Sequence, residues 1–427
     1  MSNNITPVAE SENSKAPALT HPSVDLPVVC VVGLGYIGLP TAAVLADHGM
    51  RVHGVEVSEK ARQIINSGRA HVIEPDLDAV VKTGIDSGRL EAFDSPGPAD
   101  VYMLCVPTPV GKESGADLSY IRSATTAICP HLQAGNLVIL ESTSPPGTTE
   151  LIAEIVQAET GLSSEQVHFA HAPERVLPGH ILREVIHNDR VIGGINEAST
   201  EAAAKFYSLF VQGELLKCHS RVAETVKLVE NASRDSQIAF ANELSMLCDA
   251  MDTDVHKVIE LANHHPRVNI LQPGCGVGGH CIAVDPWFLV HKAEQELGMN
   301  LPMIRTAREV NLSKTQWVVR RIIEEAAKFE NPVVACMGAA YKPDVDDLRE
   351  SPALEIAAML RDASAMKVLL VEPHSSEIEG HCLSSVNAAV ESANIFAFLV
   401  NHSCFRDIDA KQLAGSRVLD FCNFLSD

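Results

Sequence analysis

Residues 274 to 287 read Gly-Cys-Gly-Val-Gly-Gly-His-Cys-Ile-Ala-Val-Asp-Pro-Trp. Glycines at 274, 276, 278 and 279 let a backbone approach a ligand with little side chain in the way. Cys281 then sets a thiol at the edge of that opening. Asp285-Pro286 reads as a helix start, with Asp as the cap and Pro in the first turn. A cysteine just before a helix N-terminus lies in a positive field, which favours the nucleophilic thiolate. Alone, the stretch reads better as a tight turn around a small buried cysteine with an ordinary helix cap. A second pair of interest is Lys227 and Asn231, four apart and so on one helical face. Their apolar neighbours Val226 and Val229 turn that face partly toward a core. A half-buried lysine there can stabilise an oxyanion, although a helical lysine usually extends its charge to solvent.

The elements that must position these groups begin at Val28. A buried apolar strand runs into Gly33-Leu-Gly35-Tyr36-Ile37-Gly38, a helix follows to Asp47, and a second strand from Arg51 to Val57 carries Glu56. Strand, GxGxxG, helix, strand and acid in one unit predict a dinucleotide site. The glycines bring a pyrophosphate to the helix N-terminus. Glu56 accepts ribose hydroxyls and repels a 2′-phosphate, so NAD is expected over NADP. Three more apolar strands are predicted. They run from Val101 to Val106, Asn136 to Leu140 and Val167 to Ala170, and lead into Thr108, Thr143 and Glu174-Arg175. In a doubly wound parallel sheet these loops gather at the carboxyl ends of the strands. Thr148 or Thr149 is expected to cap the helix that follows.

A helical region with breaks is predicted from Arg221 to about residue 263, and another from residue 286 to 330. Its apolar residues Ile238, Leu244, Leu247, Val255, Val258 and Ile259 exceed what one small domain covers, which predicts a symmetric dimer. Strands at Val333–Met337, Val368–Val371, Ile395–Val400 and Val418–Phe421 then form a second α/β unit. Lys342 and Arg349 lie in its first strand-to-helix loop, where a phosphate would sit. With no GxGxxG there, a nucleotide diphosphate fits better than a second dinucleotide.

Composition narrows the function. The 427 residues carry 46% apolar side chains and a net charge of −22, which argues against nucleic acid or an anionic membrane as partner. Eleven cysteines are scattered without a CxxC pair, so neither disulfides nor a metal site are expected, and a reducing cytoplasm fits. No apolar run approaches the ~18 residues of a membrane span. Residues 1 to 27 lack an apolar signal-peptide core and read as a disordered tail.

From residue 28 to the end, the chain resembles the UDP-sugar 6-dehydrogenases of the UDP-glucose/GDP-mannose dehydrogenase family. The resemblance is carried in order by Val31-Val-Gly-Leu-Gly-Tyr-Ile-Gly-Leu-Pro40, Val106-Pro-Thr-Pro109, Ser142-Thr143, Ala172-Pro-Glu-Arg175 and Lys227-Leu-Val-Glu-Asn231. It continues through Gly278-Gly-His-Cys281 to Asp285, Tyr341-Lys-Pro and Asp347-Leu-Arg-Glu-Ser-Pro352. It implies an α/β fold of two Rossmann-like doubly wound domains joined by a long central helical region. The NAD-binding domain would span 28–212, the helical domain with the cysteine loop 213–316, and the UDP-binding domain 317–427. It also implies a homodimer, a role in polysaccharide biosynthesis, and oxidation of a primary alcohol to a carboxylate with two NAD per sugar.

The implied roles can be placed residue by residue. Cys281 is the nucleophile. Lys227 and Asn231 stabilise the oxyanion, and Thr143, Glu174 and Asp285 hold water. NAD falls to Gly33, Gly35, Tyr36, Ile37, Gly38, Glu56, Thr108, Thr143 and Arg349. The UDP-sugar falls to Glu174, Arg175, Lys227, Asn231, Arg267, Gly278 and Lys342. Gly-Gly-His-Cys and Ala-Pro-Glu-Arg-Val-Leu-Pro-Gly resemble most the members that oxidise UDP-N-acetyl-D-mannosamine. UDP-glucose enzymes usually carry another residue than His before the cysteine, and a second acid where Pro178 stands. Cys275 occupies a position often held by proline and is given no role. The alternatives are the gluco epimer as substrate and a non-catalytic NAD-bound sugar-nucleotide sensor.

Overall fold

The computed structural model describes residues 26–111, 114–177, 179–363 and 366–425. Most of the expected tail, and Pro178, lie outside the described residues. The first sheet has eight strands: β1 Val28–Val32, β2 Arg51–Val55, β3 Leu90–Phe93, β4 Val101–Leu104, β5 Leu137–Leu140, β6 His168–His171, β7 Arg190–Gly194 and β8 Leu215–His219. Its helices are α1 Gly38–Asp47, α2 Glu59–Asn66, α3 Leu77–Asp86, α4 Ser119–Ile128, α5 Thr148–Thr160, α6 Ile181–His187 and α7 Glu197–Tyr207. Strand order is β3-β2-β1-β4-β5-β6-β7-β8, parallel except where β7 runs against β6. Apolar clusters cover both faces, which is why β1, β4 and β5 read as unbroken hydrophobic runs.

Three of these strands, β3, β7 and β8, were not expected. β3 is only Leu-Glu-Ala-Phe, and β8 is a half-exposed edge strand holding a lysine and a histidine. β7 ends in Gly193-Gly194, a pair that normally signals a turn. A Cβ on Gly193 would lie 2.6 Å from the His219 carbonyl, and one on Gly194 would lie 2.3 Å from the Thr200 amide. Close packing of neighbouring backbone explains the glycines. β8 also carries the first sheet past the boundary expected at residue 212.

The central region contains α8 Ser220–Ala250, α9 Val255–Asn263, α10 Asp285–His291 and α11 Pro302–Ala326. α8 and α11 meet through a buried polar ladder. Arg308 Nη1 lies 2.5 Å from Asp235 Oδ1, Asn311 donates to Asp235 Oδ1 at 2.8 Å, and Asn242 donates to Asn311 at 2.9 Å. Two further bonds hold the cysteine loop to this ladder: the Gly274 amide donates to Asn242 Oδ1, and Thr315 Oγ1 donates to the Cys275 carbonyl. Of the six apolar residues named for the dimer, Ile259 is fully buried within its own chain and only Leu247 is exposed. The outward stripe of α8 is instead Val222, Val229, Phe240, Leu247 and Met251.

The chain ends in a parallel four-stranded sheet, β9 Val333–Met337, β10 Lys367–Val371, β11 Ile395–Phe398 and β12 Arg417–Asp420, in the order β10-β9-β11-β12. Helices α12 Pro352–Asp362 and α13 Val386–Ser392 pack on it. The fold is thus two Rossmann-like units joined by a helical region. Among the described residues no helix is long and apolar enough to cross a membrane.

Candidate active site

The glycines of the first loop do different jobs. Gly33 sits at φ +93°, and a Cβ there would lie 2.7 Å from the Cys105 carbonyl. A Cβ on Gly38 would overlap the Gly33 carbonyl, whereas one on Gly35 meets nothing within 4 Å. Gly33 and Gly38 shape the turn, and Gly35 leaves its outer face open. α1 starts after Ile37 with no side-chain cap and no acid in its first turn, so its leading N–H groups are available to an anion. Glu56 follows β2 and accepts from the Ser58 amide at 2.9 Å and the Leu34 amide at 3.4 Å. Thr108 Oγ1 is buried with no partner among the described residues. The guanidinium of Arg349 lies 5.5 Å over the exposed Tyr36 ring. An open glycine face, a bare helix start, a fixed carboxylate and an unpartnered hydroxyl fit NAD.

Across the cleft, Cys281 lies in the turn that leads into α10, its carbonyl accepting from the Val284 and Asp285 amides at 3.0 and 2.8 Å. Two expectations are corrected here. Val284 is the cap residue, and Asp285 does not cap the helix; its Oδ2 accepts from Asn231 Nδ2 at 2.5 Å. The thiol is also not a thiolate at rest. Burial, reinforced by the Asp285 carboxylate and opposed by Lys227, pushes it up to about 11. Desolvation disfavours the charged form of a buried thiol. Burial likewise raises Asp285 to about 6.

Two glycines of the cysteine loop serve packing. A Cβ on Gly278 would lie 2.5 Å from the Glu350 carbonyl and 2.8 Å from Pro352 and Tyr341. Gly279, at φ +81°, rests against the Tyr341 ring, and its amide donates to the Arg349 carbonyl at 2.9 Å. The glycines therefore seat the cysteine loop on the C-terminal unit. Cys275 is buried, with Sγ 3.4 Å from the Leu399 carbonyl.

Lys227 is half-buried at the middle of the cluster, and its charge reaches Cys281, Asp285, Glu174 and His280. Glu174 is 8% exposed, and its Oε1 has no partner among the described residues. Burial raises it to about 7 against the pull of Arg190 and Lys227. Thr143 is half-buried beyond β5, beside Ser142, whose hydroxyl is tied to the Val106 carbonyl at 2.6 Å. Glu224, one turn before Lys227, accepts from the Gly147 amide at 2.6 Å, the Thr149 amide at 2.7 Å and the Thr149 hydroxyl at 2.6 Å. An acid from α8 thus satisfies the start of α5, where Thr148 or Thr149 was expected to cap. This contact fixes Lys227 against the Thr143 loop.

Other expected residues lie further out. Arg175 pairs with Glu230 of α8 at 2.9 Å and donates to the Asp189 carbonyl at 2.5 Å. Arg349 is held by Asp347 at 2.6 Å, and the Lys342 ammonium lies 5.9 Å over the Tyr341 ring. Arg267 is exposed after α9, and none of its described contacts reaches the cluster. A buried group went unforeseen. Glu141 takes the Tyr207 hydroxyl at 2.7 Å, Arg190 at 3.2 Å and the Cys105 thiol at 3.4 Å. A glutamate that ends a strand of four apolar residues was the available signal.

Three adjoining descriptions of one family match the chain: the NAD binding domain over residues 28–211, the central domain over 221–313 and the UDP binding domain over 335–427. The chain belongs to the UDP-glucose/GDP-mannose dehydrogenase family. It is an NAD-dependent UDP-sugar 6-dehydrogenase. The NDP-N-acetyl-D-galactosaminuronic acid dehydrogenase of Ralstonia nicotianae is 47% identical over 410 residues, covering 93% of this chain and 96% of the relative. The UDP-N-acetyl-D-mannosamine dehydrogenase of Campylobacter jejuni is 46% identical over 413 residues, covering 92% and 98%. Among solved structures, the UDP-D-ManNAc dehydrogenase from Pyrococcus horikoshii superposes with a TM-score of 0.86 at 36% identity, covering 93% of this chain and 96% of that one.

Proposed function

We propose that the enzyme oxidises C6 of UDP-N-acetyl-D-mannosamine to the carboxylate in two hydride transfers, with Cys281 as covalent nucleophile between them. The observation that carries this is the thiol of Cys281 set among Lys227, Asp285 and Glu174. A simple alcohol oxidation has no use for a nucleophile. NAD supplies the hydride acceptor in each half.

In the first half, water held by Asp285 takes the C6 hydroxyl proton, while Lys227 and Asn231 stabilise the alkoxide. Loss of hydride leaves the aldehyde. Cys281 Sγ then bonds to C6, and its proton passes to Asp285 or Glu174, whose values near 6 and 7 suit proton exchange at neutral pH. Thus the nucleophile is a thiol that is deprotonated as it attacks, with Lys227 stabilising the developing oxyanion. Hydride leaves the thiohemiacetal to give a thioester. Water positioned by Thr143, Glu174 and Asp285 attacks it, the C–S bond breaks, and the thiol is restored. Gly33, Gly35, Tyr36, Ile37, Gly38, Glu56, Thr108 and Arg349 are assigned to NAD. Arg175, Gly278 and Lys342 are assigned to the nucleotide sugar, as is Arg267, which would have to reach it from a second copy.

The manno reading is supported by the Campylobacter relative and by Gly-Gly-His-Cys281. The galacto epimer is the second reading, because the Ralstonia relative is named for a galactosaminuronic acid. NADH release on purified UDP-N-acetyl-mannosamine, -galactosamine and -glucosamine decides between them. Two NADH per manno substrate, at the highest kcat/KM, is expected. A higher value on another epimer overturns the manno assignment. The exposed α8 stripe and the shallow groove along Val222, Val226 and Val229 are proposed to pair two copies in a dimer. A cytoplasmic enzyme making an activated uronic acid for polysaccharide assembly completes the reading.

A further inference from the structure

The carboxyl edge of the C-terminal sheet brings three metal-ligating side chains together. Asp344 comes from the loop after β9, His374 from the loop after β10, and His402 from the segment after β11. One ligand atom from each lies within 4.8 Å of the others. We propose that His402 Nδ1, His374 Nε2 and Asp344 Oδ1 form a binding site for a divalent transition-metal cation, with Glu372 orienting His402. This goes beyond the dehydrogenase reading and does not depend on which sugar is oxidised.

The support around His402 is already built. Its Nε2 lies 3.1 Å from Glu372 Oε2, and both side chains are fully buried. Glu372 also accepts from the Ala339 and Ala340 amides at 2.8 and 3.0 Å and from the His374 amide at 2.9 Å. Those four donors fix the carboxylate. The Asp344 amide donates to His402 Nδ1 at 3.0 Å, so that nitrogen presents a lone pair and the ring proton faces Glu372. Carboxylate to imidazole N–H is the arrangement that orients metal-binding histidines, and here the lone pair of the other nitrogen is held by the Asp344 amide. On cation entry, the Asp344 amide contact is exchanged for a coordination bond.

The other two ligands are placed to close on the same point. Asp344 Oδ1 is 3.5 Å from His374 Nε2 and 3.8 Å from His402 Nδ1. A tetrahedral site with bonds of about 2.0–2.1 Å needs ligand separations of roughly 3.3 Å, so the ligand atoms, which lie within 4.8 Å of one another, must draw together around the ion. Asp344 Oδ1 is steadied by the Ser403 amide and hydroxyl at 2.8 and 3.0 Å. The side chains of His374 and Asp344 are 33% and 46% exposed, which leaves an entry path and a fourth position for water. Two imidazoles and one carboxylate favour zinc, cobalt or nickel over magnesium or calcium, which prefer oxygen alone. Lys342 lies two residues before Asp344, so an ion here would brace the loop that carries a nucleotide-contacting lysine.

The test uses metal-stripped full-length protein titrated with Co²⁺ and Zn²⁺, read by calorimetry and by the visible cobalt absorbance. One equivalent per chain is expected, with a nitrogen–oxygen rather than a thiolate cobalt spectrum. Asp344→Asn and His374→Ala sit on exposed positions and leave the fold intact by circular dichroism. Each removes a proposed ligand and should weaken binding by more than the roughly 10–100-fold lost with a supporting group. Zn²⁺ should raise the melting temperature of the unaltered protein and not of the double variant. Binding that survives in both variants, a thiolate spectrum, or no bound ion on the unaltered protein would overturn the site and leave a hydrogen-bonded histidine cluster.

Discussion

Glu174→Gln should stabilise the ligand-free enzyme in a pH-dependent way. The Glu174 carboxyl is raised from 4.5 to about 7, first by burial, with Arg190 and Lys227 pulling it down. A raised carboxyl favours the protonated form in the fold. Its contribution to stability is fully present below pH 4.5, is lost as pH rises toward 7, and is absent above that. The shift of about 2.5 pH units corresponds to roughly 3 kcal/mol between the two ends. Glutamine keeps the shape of the neutral acid and does not titrate. The stability difference between variant and unaltered protein should therefore grow by about 3 kcal/mol, in favour of glutamine, from pH 4.5 to pH 8. At roughly 2–4 °C per kcal/mol for a unit of this size, that is a relative gain of several degrees in Tm. Scanning calorimetry on both proteins across this range, in one buffer series of fixed ionic strength, reads it directly. An offset that does not change with pH would refute a strained, ionisable Glu174. Thioester hydrolysis should fail in the same variant, as expected where an active site holds a destabilising group.

Three further outcomes follow from the same geometry. Asn231→Ala removes the 2.5 Å bond to Asp285; a bond to a charged group is worth about 1.5–3 kcal/mol, so the acidic limb of the pH–kcat profile should move up by roughly 1–2 units, and an unmoved limb would exclude Asp285 as the group that titrates. Cys281→Ser should cut turnover by orders of magnitude while NAD and UDP-sugar still bind in calorimetry, whereas Cys275→Ser should keep most activity because that thiol packs in the C-terminal apolar cluster with a hydrogen bond to the Leu399 carbonyl. Glu56→Ala should weaken NAD and narrow the preference over NADP in paired kcat/KM measurements, and equal use of both cofactors by the unaltered enzyme would remove Glu56 as the selector.

What the sequence discloses follows how local each cause is. The strand, glycines and acid around Gly33 and Glu56 act within one βαβ unit, so their spacing alone predicts the site. Lys227 and Asn231 share a helix face and could be paired by periodicity. Cys281 was legible as a candidate from its local spacing but not in its protonation, because burial, which no local pattern reports, raises the thiol. The glycines at 278 and 279 look like a ligand cradle in one dimension, and the position of Tyr341 and Glu350 adds a docking role that local spacing does not show. Glu224, Arg190 and Tyr207 act through partners 49 to 77 residues away, a separation at which no pattern in one sequence constrains pairing. The same holds for Asp344, His374 and His402, whose neighbours in space are fixed by the strand order β10-β9-β11. Long-range polar groups are set by topology, so they become visible only once the strand order is known.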